Sequence, residues 1–151
     1  FDLFCSALEH KKAKELPLLL VDSESAVGVG HTVWQHLKLQ DNWSKPENGH
    51  DEHAYLMAQI METWLFADLE ALRNYFGSNF KPDKIPTWAD LEAVQKQIIL
   101  ETLAKATAEC GSKRYAKGKV SFEILGKINP QKIAANCPHA KSFLDFLAIK
   151  R

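Results

Sequence analysis

Four apolar residues in a row, Leu18-Leu19-Leu20-Val21, follow Pro17 and run straight into Asp22-Ser23-Glu24. Such a run, too short for a helix and closed by acids, reads as a strand covered on both faces. Strands of that kind belong to α/β sheets, where ligands gather beyond the carboxyl ends of the strands. Asp22 and Glu24 are two residues apart, so an extended chain would turn both carboxylates to one side. Two carboxylates on one rim repel unless a cation, a proton or a basic side chain neutralises them. A hard divalent cation such as Mg²⁺ suits an all-oxygen rim. The plainer reading makes Asp22 a helix cap and Glu24 a solvated loop acid.

The remaining 151-residue chain must be organised around that strand. A chain of this length forms one domain and buries roughly two-thirds of its unfolded surface. No apolar run approaches the ~20 residues of a membrane span, so no membrane partner is expected. Cys5, Cys110 and Cys137 are odd in number and widely spaced. They match neither a disulfide framework nor a zinc pattern, and they point to a reducing, cytoplasmic setting.

Charge is unevenly spread although it sums to zero. Residues 1–109 carry 10 Lys/Arg against 17 Asp/Glu, whereas residues 110–151 carry 9 against 2. The basic tail comprises Lys113, Arg114, Lys117, Lys119, Lys127, Lys132, Lys141, Lys150 and Arg151. Clustered cations of this kind can replace counterions on a polyanion. Equally, the tail can fold back and neutralise the acidic half.

The chain divides into an α/β part, residues 1–77, and a mainly helical, basic part, residues 78–151. Helices are predicted over 2–14 and 31–40, with the strand at 17–22 between them. Residues 41–52 are polar and form a loop. Residues 55–67 are the most apolar stretch, and their period fits either a strand or the start of one long helix. We read a strand running into Asp68, which caps a helix over 69–76 that Gly77 stops. Thr87-x-x-Asp90 resembles a capping box and predicts a helix from there to about 109. Short helices follow at 121–128, 130–135 and 139–149, with Pro130 and Pro138 in first turns.

Glu62 lies inside the apolar stretch, where an unpaired carboxylate is costly. As part of a second strand it would join Asp22 and Glu24 at one rim; otherwise it reaches water. His50-Asp51-Glu52-His53 is rich in ligand types but lacks the order and helical setting of a zinc motif. Tyr115-Ala116-Lys117-Gly118-Lys119 sets a tyrosine among cations, the chemistry of a single-strand contact or of a solvated loop.

Taken in order, these segments form a recognisable set. It comprises Leu20-Val21-Asp22-Ser23-Glu24, Trp34-Gln35-His36-Leu37 with Asp41-Asn42-Trp43, and the long block from His53 to Asp68. Tyr115-x-Lys117-Gly118, Phe122-Glu123-x-Leu125 and Cys137-Pro138-His139-Ala140 complete it. The set resembles the bacterial domain-of-unknown-function family four-two-seven-six, which is grouped with Toprim-like proteins and found with ATPases in phage-defence neighbourhoods. The resemblance implies a Toprim-like, mostly parallel sheet flanked by helices in a single domain, 1–151. It further implies a metal-dependent nuclease acting on nucleic-acid phosphodiesters, with Mg²⁺ or Mn²⁺ as cofactor and an ATPase as protein partner. Asp22, Glu24 and Glu62 would be the catalytic and metal-binding carboxylates. Lys113, Arg114, Tyr115, Lys117 and Lys119 would bind nucleic acid. The family's first strand and its Glu have no counterpart before Phe1, so a chain lacking that N-terminal strand is expected. The alternative is a non-catalytic subunit that docks on the ATPase through its oppositely charged halves.

Overall fold

A computed structural model describes residues 1–150; Arg151 of the basic tail lies outside the described residues. The order of elements is α1 (Asp2–Glu9), β1 (Leu19–Asp22), α2 (Val33–Asp41), β2 (Ala54–Met57), α3 (Glu62–Leu65) and α4 (Leu69–Phe76), then α5 (Lys96–Ala106), α6 (Lys119–Leu125), α7 (Pro130–Asn136) and α8 (Pro138–Ile149). The two strands pair in parallel, from Leu19 opposite Ala54 to Asp22 opposite Met57. A parallel pair needs a crossover, and α2 supplies it. Its start is fixed by a reciprocal cap in which Thr32 Oγ1 accepts from the Gln35 amide and Gln35 Oε1 accepts from the Thr32 amide.

Alternation along β1 sends successive side chains to opposite faces. Leu19, Ala54 and Leu56 join Phe4, Leu8, Trp34 and Leu37 in a small cluster under α1 and α2. Leu20 and Met57 pack on the larger core, built from Trp64, Leu65, Leu72, Ile99, Leu103 and Ile124 among others. Tyr55 meets Phe143 and Phe146 of α8, with ring centroids 5.2 and 5.5 Å apart. The strands are therefore covered on both faces, as their unbroken apolar runs require. Each fully buried Leu or Ile contributes about 1.5–3 kcal/mol by leaving water. Asp22 follows Leu20 by two residues, so it faces the larger core at the carboxyl end of its strand.

The chain is mixed α/β, with a small parallel sheet and a mainly helical second half. Asp68 caps α4 by accepting from the Ala71 amide at 3.3 Å, and Gly77, at φ 81°, ends it. Pro130 and Pro138 occupy the first turns of α7 and α8. Three expectations need correction. The first helix ends at Glu9 rather than near 14. The apolar stretch is strand only to Met57, so Glu62 opens a helical turn instead of standing on a strand. Finally, no helix starts at Thr87. Asp90 Oδ1 accepts from the Glu92 and Ala93 amides, making a local turn. Trp88 packs edge-on to Phe66 at 5.2 Å, Leu91 and Val94 are buried, and α5 begins only at Lys96. Among the described residues no helix is long and apolar enough to cross a membrane.

Candidate metal and nucleic-acid site

The exit from β1 is pinned by main-chain bonds. The Ser23 amide donates to Met57 O at 3.0 Å and the Glu24 amide to Gln59 O at 2.8 Å. Ser23 O in turn accepts from His36 Nε2 at 2.8 Å, which explains a buried histidine on α2. Asp22 is thereby held with Oδ1 accepting from the Met61 amide, 2.8 Å away, at the approach to α3. Its Oδ2 makes no hydrogen bond among the described residues. Burial pushes the Asp22 carboxyl above its usual range, and the charges of Glu62 and Glu24 push the same way. The Met61 amide and the Lys117 ammonium oppose the rise without cancelling it.

Glu24 is not aligned with Asp22 as an extended strand would place it, although its charge still reaches Asp22. Its backbone is left-handed, φ 61°, so the extended geometry that would align it with Asp22 ends at Ser23. Its Oε2 is paired instead with Lys96 Nζ at 2.7 Å. Lys96 opens α5, and its amide donates to Gln59 Oε1 at 3.4 Å. Both partners of this pair are about half exposed, 47% and 43%, so solvent screens the attraction.

Glu62 is 1% exposed. Its Oε1 accepts from Tyr115 Oη at 2.8 Å and from Ser121 Oγ at 3.1 Å. Its Oε2, like Oδ2 of Asp22, makes no hydrogen bond among the described residues. Tyr115 is fixed at its other end too, because its amide donates to Thr107 Oγ1 at 3.0 Å. Burial, together with Glu62, pushes the Tyr115 phenol well above the usual tyrosine range, so it remains a donor. The ring packs against the larger core and is not a free platform for a base. Lys113, Arg114, Lys117 and Lys119 around it are exposed. Lys119 alone of the four is paired among the described residues, with Glu123 at 3.7 Å.

The structure thus draws Asp22, Glu62, Tyr115 and Lys117 together from three distant parts of the chain and leaves Glu24 on Lys96. Among the described residues no group of three or more His, Cys, Asp or Glu side chains is arranged to hold a metal ion. The donor set therefore offers two carboxylates, each anchored by one oxygen and, among the described residues, without a hydrogen-bond partner at the other. Sequence reading missed Ser121 and Lys96. Ser121 carries a signal, since it precedes Ile124 by three residues on one helical face, whereas nothing in the sequence marks Lys96 as the partner of Glu24. The Cys137-Pro138-His139 motif belongs to a different place. Buried Glu92 accepts from the His139 amide at 3.1 Å and from His139 Nδ1 at 2.7 Å, closing the start of α8. That bond raises the His139 imidazole above its usual range. Burial beside Glu92 and Asp90 pushes the Cys137 thiol up to about 12, so it is an inert core residue.

The family model "Domain of unknown function (DUF4276)" matches residues 5–148, and the chain belongs to that family. No curated protein and no solved structure matches it.

Proposed function

We propose that this DUF4276 chain is a metal-dependent, nuclease-like effector whose parallel strand pair belongs to a Toprim-like sheet. One observation carries the reading: Asp22 and Glu62 each have one oxygen fixed by the fold and one left without a partner. Fixing one oxygen orients the other, as outer hydrogen bonds do for metal-ligating carboxylates. The Asp22 carboxyl is raised first by burial and then by the charges of Glu62 and Glu24, a kind of perturbation that clusters at functional sites. Mg²⁺ is commonly held by one or two carboxylates, with water and substrate phosphate completing its shell. A pair of carboxylates fits that mode better than a closed all-protein cage. Such an ion, when bound, polarises a phosphodiester and lowers the pKa of an attacking water. Asp22 and Glu62 would hold it, and Tyr115 and Ser121 would keep Glu62 in place. Lys117, close enough to Asp22 to oppose the rise of its carboxyl, would bring a backbone phosphate to the same rim. Lys113, Arg114 and Lys119 extend the positive surface along the strand of nucleic acid.

The test is a Mn²⁺ titration of the protein and its Asp22→Ala variant, with cleavage of labelled DNA and RNA followed in parallel. Ion binding and cleavage that both vanish in the variant are expected. Cleavage undiminished by Asp22→Ala would overturn the reading. The Glu24–Lys96 pair favours a second one. With Glu24 taken up by Lys96, the chain would be a non-catalytic subunit that docks through its oppositely charged halves in an ATPase-containing phage-defence complex. That reading predicts stable assembly with the partner and indifference to substitution at Asp22.

A further inference from the structure

Phe122 is 68% exposed on α6, a large apolar side chain with no place in either core cluster. A single exposed apolar residue is ordinary by itself. The setting of this one is not. Ser121 and Ile124 turn into the core and fix the rotation of α6, so Lys119 and Phe122, three residues apart, share its outer side. Gly118, at φ 107°, makes the turn that joins this helix to the basic segment 113–117. Lys113, Arg114 and Lys117 are exposed there, and Tyr115 anchors the segment through Glu62 and Thr107. The one acid of α6, Glu123, is occupied by Tyr75 Oη at 2.7 Å and by Lys119. A rigid aromatic ring therefore projects at the end of a row of cations, and the tyrosine within that row has its hydroxyl and ring already used.

We infer that Phe122 is a base-stacking residue and that the ligand of this surface is a single-stranded polynucleotide. The inference rests on the nucleic-acid reading given above and assigns its substrate class. Cations alone grip any phosphate backbone, single or double. An exposed ring distinguishes the two, because a single strand can lay a base face on it while a duplex keeps those faces inside its own stack.

Fluorescence anisotropy in EDTA separates binding from any metal chemistry. The probes are a labelled oligothymidylate and a labelled duplex of the same length, titrated with the protein and with Phe122→Ala, Phe122→Trp and Arg114→Ala. Phe122→Ala is expected to weaken single-strand binding about tenfold, the order set by loss of one aromatic–base stack, while duplex binding is unchanged. Phe122→Trp retains single-strand affinity. Arg114→Ala weakens both ligands and flattens the salt dependence. Single-strand affinity indifferent to Phe122→Ala, or an equal loss on duplex, overturns the inference and leaves Phe122 as a protein contact. A parent protein that binds neither probe overturns the nucleic-acid reading along with it.

Discussion

Replacing Tyr115 by Phe removes one oxygen and almost nothing else, which makes it a sharp probe of the site. The ring remains against the core, so the apolar area is unchanged. What disappears is the hydroxyl that donates to Glu62 Oε1 at 2.8 Å. Glu62 is 1% exposed and cannot turn to bulk water for a replacement; Ser121, at 3.1 Å, is its sole remaining donor among the described residues. A hydrogen bond to a charged group contributes about 1.5–3 kcal/mol, and the loss is greatest when the acceptor stays buried. At a typical urea dependence for a small protein, that is a drop in the midpoint of about 1 M. Tyr115→Phe should also loosen segment 113–119, since this bond is its polar tether to the α/β part beside the packing of the ring. Native-state trypsin digestion should then cut faster at Lys113, Arg114 or Lys117. Urea unfolding of Tyr115→Phe, Ser121→Ala and the double variant apportions the energy, because two donors on one oxygen are coupled. A midpoint within error of the parent, with unaltered trypsin cleavage, would refute the claim that Glu62 fastens the basic segment.

Two further outcomes follow from named pairs. Asp68 is buried, yet its carboxyl lies below its usual range: burial raises it, and Lys132 Nζ at 2.7 Å with the Asn129 and Ala71 amides more than offsets this. Its contribution is therefore complete above the ordinary value of 3.8 and is lost as pH falls through its lower folded value. Asp68→Ala should cost about 1–2 kcal/mol at neutral pH through the lost cap, Lys132 keeping Glu70 as a partner, and acid titration followed by circular dichroism should show Asp68→Asn lacking part of the parent's acid transition. Lys96→Met should release Glu24 and tighten Mn²⁺ binding, by no more than about fivefold because an exposed pair is worth at most about 1 kcal/mol. Calorimetry showing weaker binding in that variant would mean that Lys96 supports the site instead of competing for its acid.

Strand β1, the Asp68 cap, the Gly77 stop and both proline starts are legible because each rests on local chemistry: an apolar run, a capping side chain, a positive φ, a missing amide. The errors arose where distant groups decide. Thr87 and Asp90 form a plausible capping pattern, but Trp88, Leu91 and Val94 hold the segment onto the core and Asp90 satisfies only a turn. Aligning Glu24 with Asp22 requires the strand to continue, and one left-handed residue ends that alignment. Periodicity likewise could not tell that Glu62 would be buried. Its partners lie 53 and 59 residues later, and no local pattern announces a pairing of that length.

The family pattern can be sorted by what each residue does in the fold. His36 holds the exit of β1, Trp34 and Leu37 fill the smaller cluster, Asp68 ties α4 to α7, and Glu92 meets His139 at the start of α8. Tyr115 and Ser121 hold Glu62. Packing and hydrogen bonding account for those residues without reference to any ligand. They do not account for the open oxygens of Asp22 and Glu62, the exposed cations from Lys113 to Lys119, or the bare ring of Phe122. An apolar residue in place of Phe122, or a neutral one in place of Lys117, would leave every described contact of the fold intact. Residues that the fold does not need are where a ligand has to be sought. Here they are linked through the chain, because Tyr115 ties the basic segment to Glu62 and that segment runs directly into α6, which carries Phe122.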